Sequence, residues 1–184
     1  MHLSPSYLTP VPDDRRHMLR LPAATHVLTP HGARPVGALR VGARVTLAEG
    51  GDARVVAHRT APHTTAWMSL PGGGVDVAAG QDIAVFHPLA ELYFGNPAVR
   101  LPARALGWRG VPHSRFIPAI DLRLDREALI AVSGYCLVAP GDRPGALPPL
   151  LTTEEAFWFA REIGSDHGAA DVPGQSRSIA MAMP

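Results

Sequence analysis

At 184 residues the chain has the length of one domain, with or without tails, and its 46% hydrophobic content is enough to bury a core. Lys and Arg number 17 against 16 Asp and Glu, and the arginines are scattered, so nothing electrostatic favours nucleic acid. The single cysteine, Cys136, excludes an internal disulfide and a thiolate metal cage, and no apolar run reaches the roughly 18 residues that suggest a membrane span.

The 18 glycines and 19 prolines argue against long helices and for many short strands joined by turns. Residues 1–19 read as an irregular arm rich in Pro, Ser, Asp and Arg. Met1 to Pro12 carries no apolar core of signal-peptide length, which makes the cytoplasm the default expectation, with secretion by another route left open.

Thr25 to Thr29 is a short β-prone run that stops at Pro30-His31-Gly32. Leu39 to Leu47 follows as a strand with Val41, Ala43, Val45 and Leu47 on one side. Glu49-Gly50-Gly51-Asp52 turns the chain into a returning strand, Ala53 to Arg59.

Ala66 to Leu70 and Val75 to Ala78 flank a glycine turn, and Asp82 to Phe86 is a further short strand. Leu89 to Phe94 is too short for its period to decide between helix and strand. Ala98 to Leu106, interrupted by Pro102, Ile117 to Leu124, and Ala128 to Leu137 complete the strand series; Asp121 and Arg123 take the polar side of the second.

One segment is clearly helical. Thr152-Thr153-Glu154-Glu155 offers a capping box, Ala156, Phe157, Phe159, Ala160 and Ile163 form an apolar face, and Gly164 ends the helix. The Phe157, Phe159 and Ile163 face is expected to cover the open side of the β domain. The expected organisation is therefore an arm (1–19), an all-β domain (20–150), one C-terminal helix (151–164) and a flexible tail (165–184).

Two stretches carry a resemblance. Thr25 to Val45 resembles the opening of a bacterial Hedgehog/intein (Hint) domain, where a Thr-containing strand and a Gly turn lead to a Pro-Val segment and a Leu-x-x-Gly-Asp-x-Val strand. Ala90-Glu91-Leu92-Tyr93-Phe94-Gly95, Val99 to Leu106 and Leu124-Asp125-Arg126-Glu127 are similar, in that order, to segments of the later half of the same branch. Together they span roughly Arg20 to Leu137, and the resemblance implies a horseshoe-like arrangement of short strands.

It also implies chemistry. Such domains cut the peptide bond at their N-terminal edge by an acyl shift, with a Cys or Ser nucleophile, a group to move the proton and donors for the oxyanion. By this resemblance the nucleophile position falls on Arg20, whose guanidinium cannot attack. The mid-domain His position falls on Gln81 or Asp82, the His of the Leu-Asp-Arg-His segment is Glu127, and the Gly-Asp pair is Gly42-Ala43. The resemblance thus implies a kept scaffold with lost chemistry: a silent module that binds or presents something. The alternatives are an active self-cleaving domain, in which Thr25 would attack and His87 would replace the missing His, and an unrelated small β enzyme or ligand-binding module.

Blander roles compete with the other reactive side chains. Thr25 at a strand start reads as structural. Cys136, after Tyr135 in an apolar strand, reads as buried and inert. His26 with His31 and His58 with His63 are five apart across turns, with no carboxylate at ligand spacing, so no metal and no cofactor are expected. Asp82, Asp125 and Glu127 form a carboxylate set whose members read as solvated turn residues. No ligand is identified, membrane and nucleic acid are not expected as partners, and a protein partner is left open.

Overall fold

The computed structural model describes residues 18–61, 66–70, 75–106 and 117–166. The expected arm, up to residue 17, and the expected tail, from 167 onward, lie outside the described residues.

The chain is an antiparallel β structure. The first four-stranded sheet has the order β1 (Leu19–Pro22), β10 (Ala119–Leu124), β5 (Asp52–Thr60), β4 (Arg44–Thr46). The second has the order β11 (Ala128–Val132), β12 (Tyr135–Ala139), β8 (Asp82–Phe86), β9 (Ala98–Pro102). Two hairpins complete it: β2 (His26–Thr29) with β3 (Gly32–Pro35), and β6 (Trp67–Ser69) with β7 (Asp76–Ala78). The position expected to divide arm from domain falls within β1, where Leu19 and Leu21 are both fully buried.

Period-two alternation directs the packing. Val45, Ala53, Val55, Leu122 and Leu124 of the first sheet meet Ile83, Ile130, Val132 and Leu137 of the second in one core. A bridge between Leu47 and Ile130, and a hydrogen bond from the Ala48 amide to the Leu129 carbonyl at 2.8 Å, tie the sheets together beside it.

Several expected elements are corrected. Ala128 to Leu137 is a hairpin, β11 and β12, because Ser133 and Gly134 both take positive φ (48° and 85°), the two-residue turn whose twist matches antiparallel strands. Leu39 to Leu47 supplies only β4. Its first half turns, with the Ala43 amide bonded to the Arg40 carbonyl, and leaves Val41 63% exposed. Pro102 ends β9, and Ala103–Leu106 is a single helical turn, α2, rather than more strand.

Leu89 to Phe94 is helical, within α1 (Pro88–Phe94). His87 caps it, Nδ1 accepting from the Leu89 amide at 3.2 Å, with proline at the first position. Two short α-helices and a 3-10 turn at Val36–Ala38 therefore accompany the C-terminal helix among the described residues.

The C-terminal helix, α3 (Thr153–Asp166), starts at the expected capping box. The Thr152 amide donates to Glu155 Oε2 at 2.8 Å and the Glu155 amide reaches Thr152 Oγ1 at 3.4 Å. It runs two residues beyond Gly164. Ala156, Phe159 and Ala160 are buried against Ala90, Val99, Leu101 and Ala105, with Ile163 packed beside them, so α3 covers α1, α2 and the β9 edge. Phe157 points away from this face and is 41% exposed; Trp158 instead sits edge-on to Tyr93 at 4.8 Å. Thr152→Ala is expected to cost about 1 kcal/mol, as loss of a capping hydroxyl usually does. Thermal unfolding checks this, and an unchanged midpoint would show that the box adds nothing.

Candidate functional site

The first element to consider is the central strand β10. Asp121 was expected on its polar, outer side, yet it is 1% exposed. Strands on both flanks account for this: Asp121 lies directly across from Arg20 on β1 and from Arg59 on β5. Arg20 donates to it through two nitrogens, Nε to Oδ1 at 2.6 Å and Nη2 to Oδ2 at 2.9 Å, while Arg59 Nε stands 3.9 Å away. A bidentate guanidinium–carboxylate pair is the strong form of this interaction, and here it links β1 to β10.

Beyond Arg20 lies an open cleft of about 490 Å³. Its polar lining is Arg20, Gln81, Asp82, Arg100 and Glu127; Ala78, Val138 and Pro140 are among its apolar residues. Three segments far apart in sequence thus bring to one place Arg20, expected at the nucleophile position, Gln81 and Asp82, the two residues expected at the mid-domain His position, and Glu127. No Ser, Thr, Cys or His occurs among the described residues that line it.

Register explains the arrangement. Asp82 pairs with Pro102 and Ala84 with Arg100, so Asp82 and Arg100 share a face as diagonal neighbours on β8 and β9. Cys136 pairs with Ala84 and Leu137 with Ile83, which brings Val138 beside Asp82. Glu127 precedes Ala128, which faces Ala139, and so lies beside Pro140 on the same surface. Gln81 is held by its amide, which donates to the Val138 carbonyl at 2.8 Å. Glu127 is held by the following loop: its amide donates to the Arg143 carbonyl at 2.8 Å and its Oε2 accepts from Gly145 at 3.5 Å.

Burial raises the Asp82 carboxyl above the usual carboxylate range, and the nearby positive charges of Arg100 and Arg104 only partly oppose this. Folding therefore disfavours its ionised form. That cost is present above the ordinary carboxylate pKa and disappears once both folded and unfolded chains are protonated. Asp82→Asn is expected to be more stable than the parent at pH 7, with the difference closing as the pH falls through the raised value. Denaturant titrations at pH 7 and pH 3.5 test this, and a less stable variant at pH 7 would contradict it.

The remaining candidates lie elsewhere. Thr25 stands in the turn after β1, its carbonyl accepting from Val36 and its amide donating to Pro22, and it does not line the cleft. His87, considered as a substitute for the missing His, caps α1 and meets the Phe159 ring edge-on at 6.3 Å. Asp125 accepts from the Arg54 amide of β5 at 3.0 Å and from Arg143 Nη2 at 3.2 Å, so it ties its turn to that strand and to the loop at Arg143, while Asp82 and Glu127 share the cleft.

Cys136 is half-buried rather than fully buried. Burial and the charge of Glu49 push its thiol up, which keeps it protonated near neutrality. His58 Nε2 contacts the Val36 carbonyl at 2.9 Å, and His63 lies outside the described residues. Among the described residues no three His, Cys, Asp or Glu side chains group as a metal site, and no helix is long and apolar enough to cross a membrane.

Sequence reasoning missed Arg100 and the Arg20–Asp121 pair. The hint was present in Leu19-Arg20-Leu21 and Ile120-Asp121-Leu122, two apolar strands each holding one opposite charge.

No known protein family and no curated protein matches the chain. Among solved structures it is similar to the crystal structure of the MchDnaB-1 intein, with a TM-score of 0.45 and 15% identity over 65% of this chain and 98% of that one. A second crystal structure, of a variant of that intein, gives a TM-score of 0.45 and 17% identity, over 66% of this chain and 99% of that one.

Proposed function

We propose that this chain is a Hint-like domain that does not cleave itself and uses the cleft beneath β1 as a binding site. The observation that carries the reading is the convergence of Arg20, Gln81, Asp82 and Glu127, positions that the motif resemblance alone had assigned to the reacting groups, on one cleft. Segments matched by accident would have no reason to meet.

The same cleft supports the loss of chemistry. An acyl shift needs a thiol or hydroxyl beside the scissile carbonyl and a group to take its proton. Arg20 stands at the nucleophile position with its guanidinium engaged by Asp121, always protonated and non-nucleophilic. Gln81 cannot transfer protons near neutrality, and its amide is spent on Val138. Carboxylates and guanidinium groups around an open cavity suit recognition of a small polar ligand.

Treatment with hydroxylamine at neutral pH tests the reading, because this nucleophile cleaves any ester or thioester formed on the backbone. The parent and Thr25→Ala are expected to stay whole and behave alike. Cleavage of the parent that Thr25→Ala abolishes would overturn the proposal and make Thr25 the attacking group.

A further inference from the structure

Exposed apolar surface is concentrated on α1 and α3. Of the seven large hydrophobic side chains exposed among the described residues, three lie there: Leu92 at 71%, Tyr93 at 52% and Phe157 at 41%. They are joined rather than scattered. Tyr93 follows Leu92 and Trp158 follows Phe157 in sequence, and the Tyr93 and Trp158 rings meet edge-on at 4.8 Å across the two helices. Phe94 supports the pair, edge-on to Trp158 at 6.5 Å and to the buried Phe159 at 5.6 Å. These ring contacts hold Tyr93 and Trp158 in place, so a partner docking on them gives up little side-chain freedom. A joined apolar patch marks an interaction surface, whereas single exposed hydrophobic residues need no explanation.

The charges around the patch are one-sided. Glu91 precedes Leu92, and Glu154 stands three and four residues before Phe157 and Trp158, the spacings that make neighbours on a helix surface. Neither carboxylate has an ion-pair partner among the described residues, while Arg161, one turn beyond the same two aromatics, lies 3.8 Å from Glu162. The whole chain has a formal net charge of +1, so this acidity is local.

An apolar patch with an acid on each helix complements an apolar stripe flanked by lysines or arginines. A surface of anionic lipid would be repelled by the same carboxylates. We propose that this face docks a basic amphipathic helix of a partner protein, its apolar stripe on Leu92, Tyr93, Phe157 and Trp158 and its cations towards Glu91 and Glu154. The face is separate from the cleft, which none of these six residues lines.

The test uses the full chain and two synthetic helical peptides of one leucine pattern, one with lysines and the other with glutamates at the polar positions. Calorimetric titration at pH 7 and low salt is expected to show saturable binding of the lysine peptide. Its affinity should exceed that of the glutamate peptide at least about tenfold, because like charges facing each other across an interface are strongly disfavoured. Leu92→Ser with Phe157→Ser, both surface positions, should weaken the lysine peptide about tenfold. Glu91→Lys with Glu154→Lys should reverse the preference between the peptides. Glu91→Gln with Glu154→Gln, which spares the start of α3 an unfavourable cation, should abolish it.

No saturable binding of the lysine peptide, equal affinity for the two peptides, or full affinity in the double Ser variant overturns the inference. Two other occupants would also overturn it. Self-association of the chain that the double Ser variant loses would give the face to a second copy, and sedimentation with phosphatidylglycerol vesicles that the same variant loses would give it to a membrane.

Discussion

Arg20→Ala is expected to destabilise the fold by about 3–5 kcal/mol, the usual consequence of leaving one charge of a buried pair without its partner. For a chain of this length that corresponds to a fall in melting temperature of roughly 6–20 °C. Asp121 is 1% exposed, and Arg59, at 3.9 Å and half in solvent, is poorly placed to replace two short hydrogen bonds. Removing both charges together, as Arg20→Met with Asp121→Leu, should recover most of the loss, because apolar residues of similar volume often substitute for a buried ion pair without penalty. Thermal unfolding of the two variants checks this. If the single variant loses under about 1 kcal/mol, as an exposed pair would, Arg20 is not the lock between β1 and β10.

Gly145→Ala is expected to be about as damaging, at about 3 kcal/mol or more, which is the upper range for forcing atoms into occupied space. A Cβ at Gly145 would fall on the carbonyl oxygen of Glu127, and one at Gly141 on the carbonyl carbon of Arg126 and the Glu127 amide. Neither neighbour can swing aside, since both are backbone. The loop from Pro140 to Gly145 lies against the Arg126–Glu127 peptide through bonds from Leu124 to Pro140 and from Glu127 to Arg143. Displacing it would also release Glu127 from the cleft. Denaturant unfolding should show the loss for both Gly141→Ala and Gly145→Ala, while Gly80→Ala, with nothing within 4 Å, should change little. Equal behaviour of all three would contradict the close approach.

Much of the architecture could be read from local signals. The capping box at Thr152 and Glu155 and the turns at Pro30-His31-Gly32 and Glu49-Gly50-Gly51-Asp52 are short-range features, and they appear where the residues place them; the glycine turn at 71–74 lies outside the described residues. Two local signals went unread: Ser133-Gly134 between alternating apolar residues marks a hairpin, and Pro88 with Gly95 brackets a helix. Other features depended on tertiary contact. Asp121 could not be recognised as buried because its partners, Arg20 and Arg59, lie 101 and 62 residues away and meet it only through strand pairing. Val41 followed the alternating pattern but sits in a turn, where alternation no longer governs exposure.

The candidate site divides in the same way. Arg20, Gln81, Asp82 and Glu127 could be named from motif order, whereas Arg100 has no local mark: its place in the cleft follows from the β8–β9 register and from the loop at Pro148. Asp125 shows the converse, since next to Glu127 in sequence it is turned towards Arg54 and Arg143 and contributes to loop structure.

The central claim, a Hint-like cleft without self-cleavage, is tested most directly by the intact mass of the purified chain over a day at neutral pH, with and without dithiothreitol. The expected result is one unchanged full-length mass under both conditions. A fragment pair with its junction between residues 18 and 25, growing with time or on addition of the thiol, would contradict it.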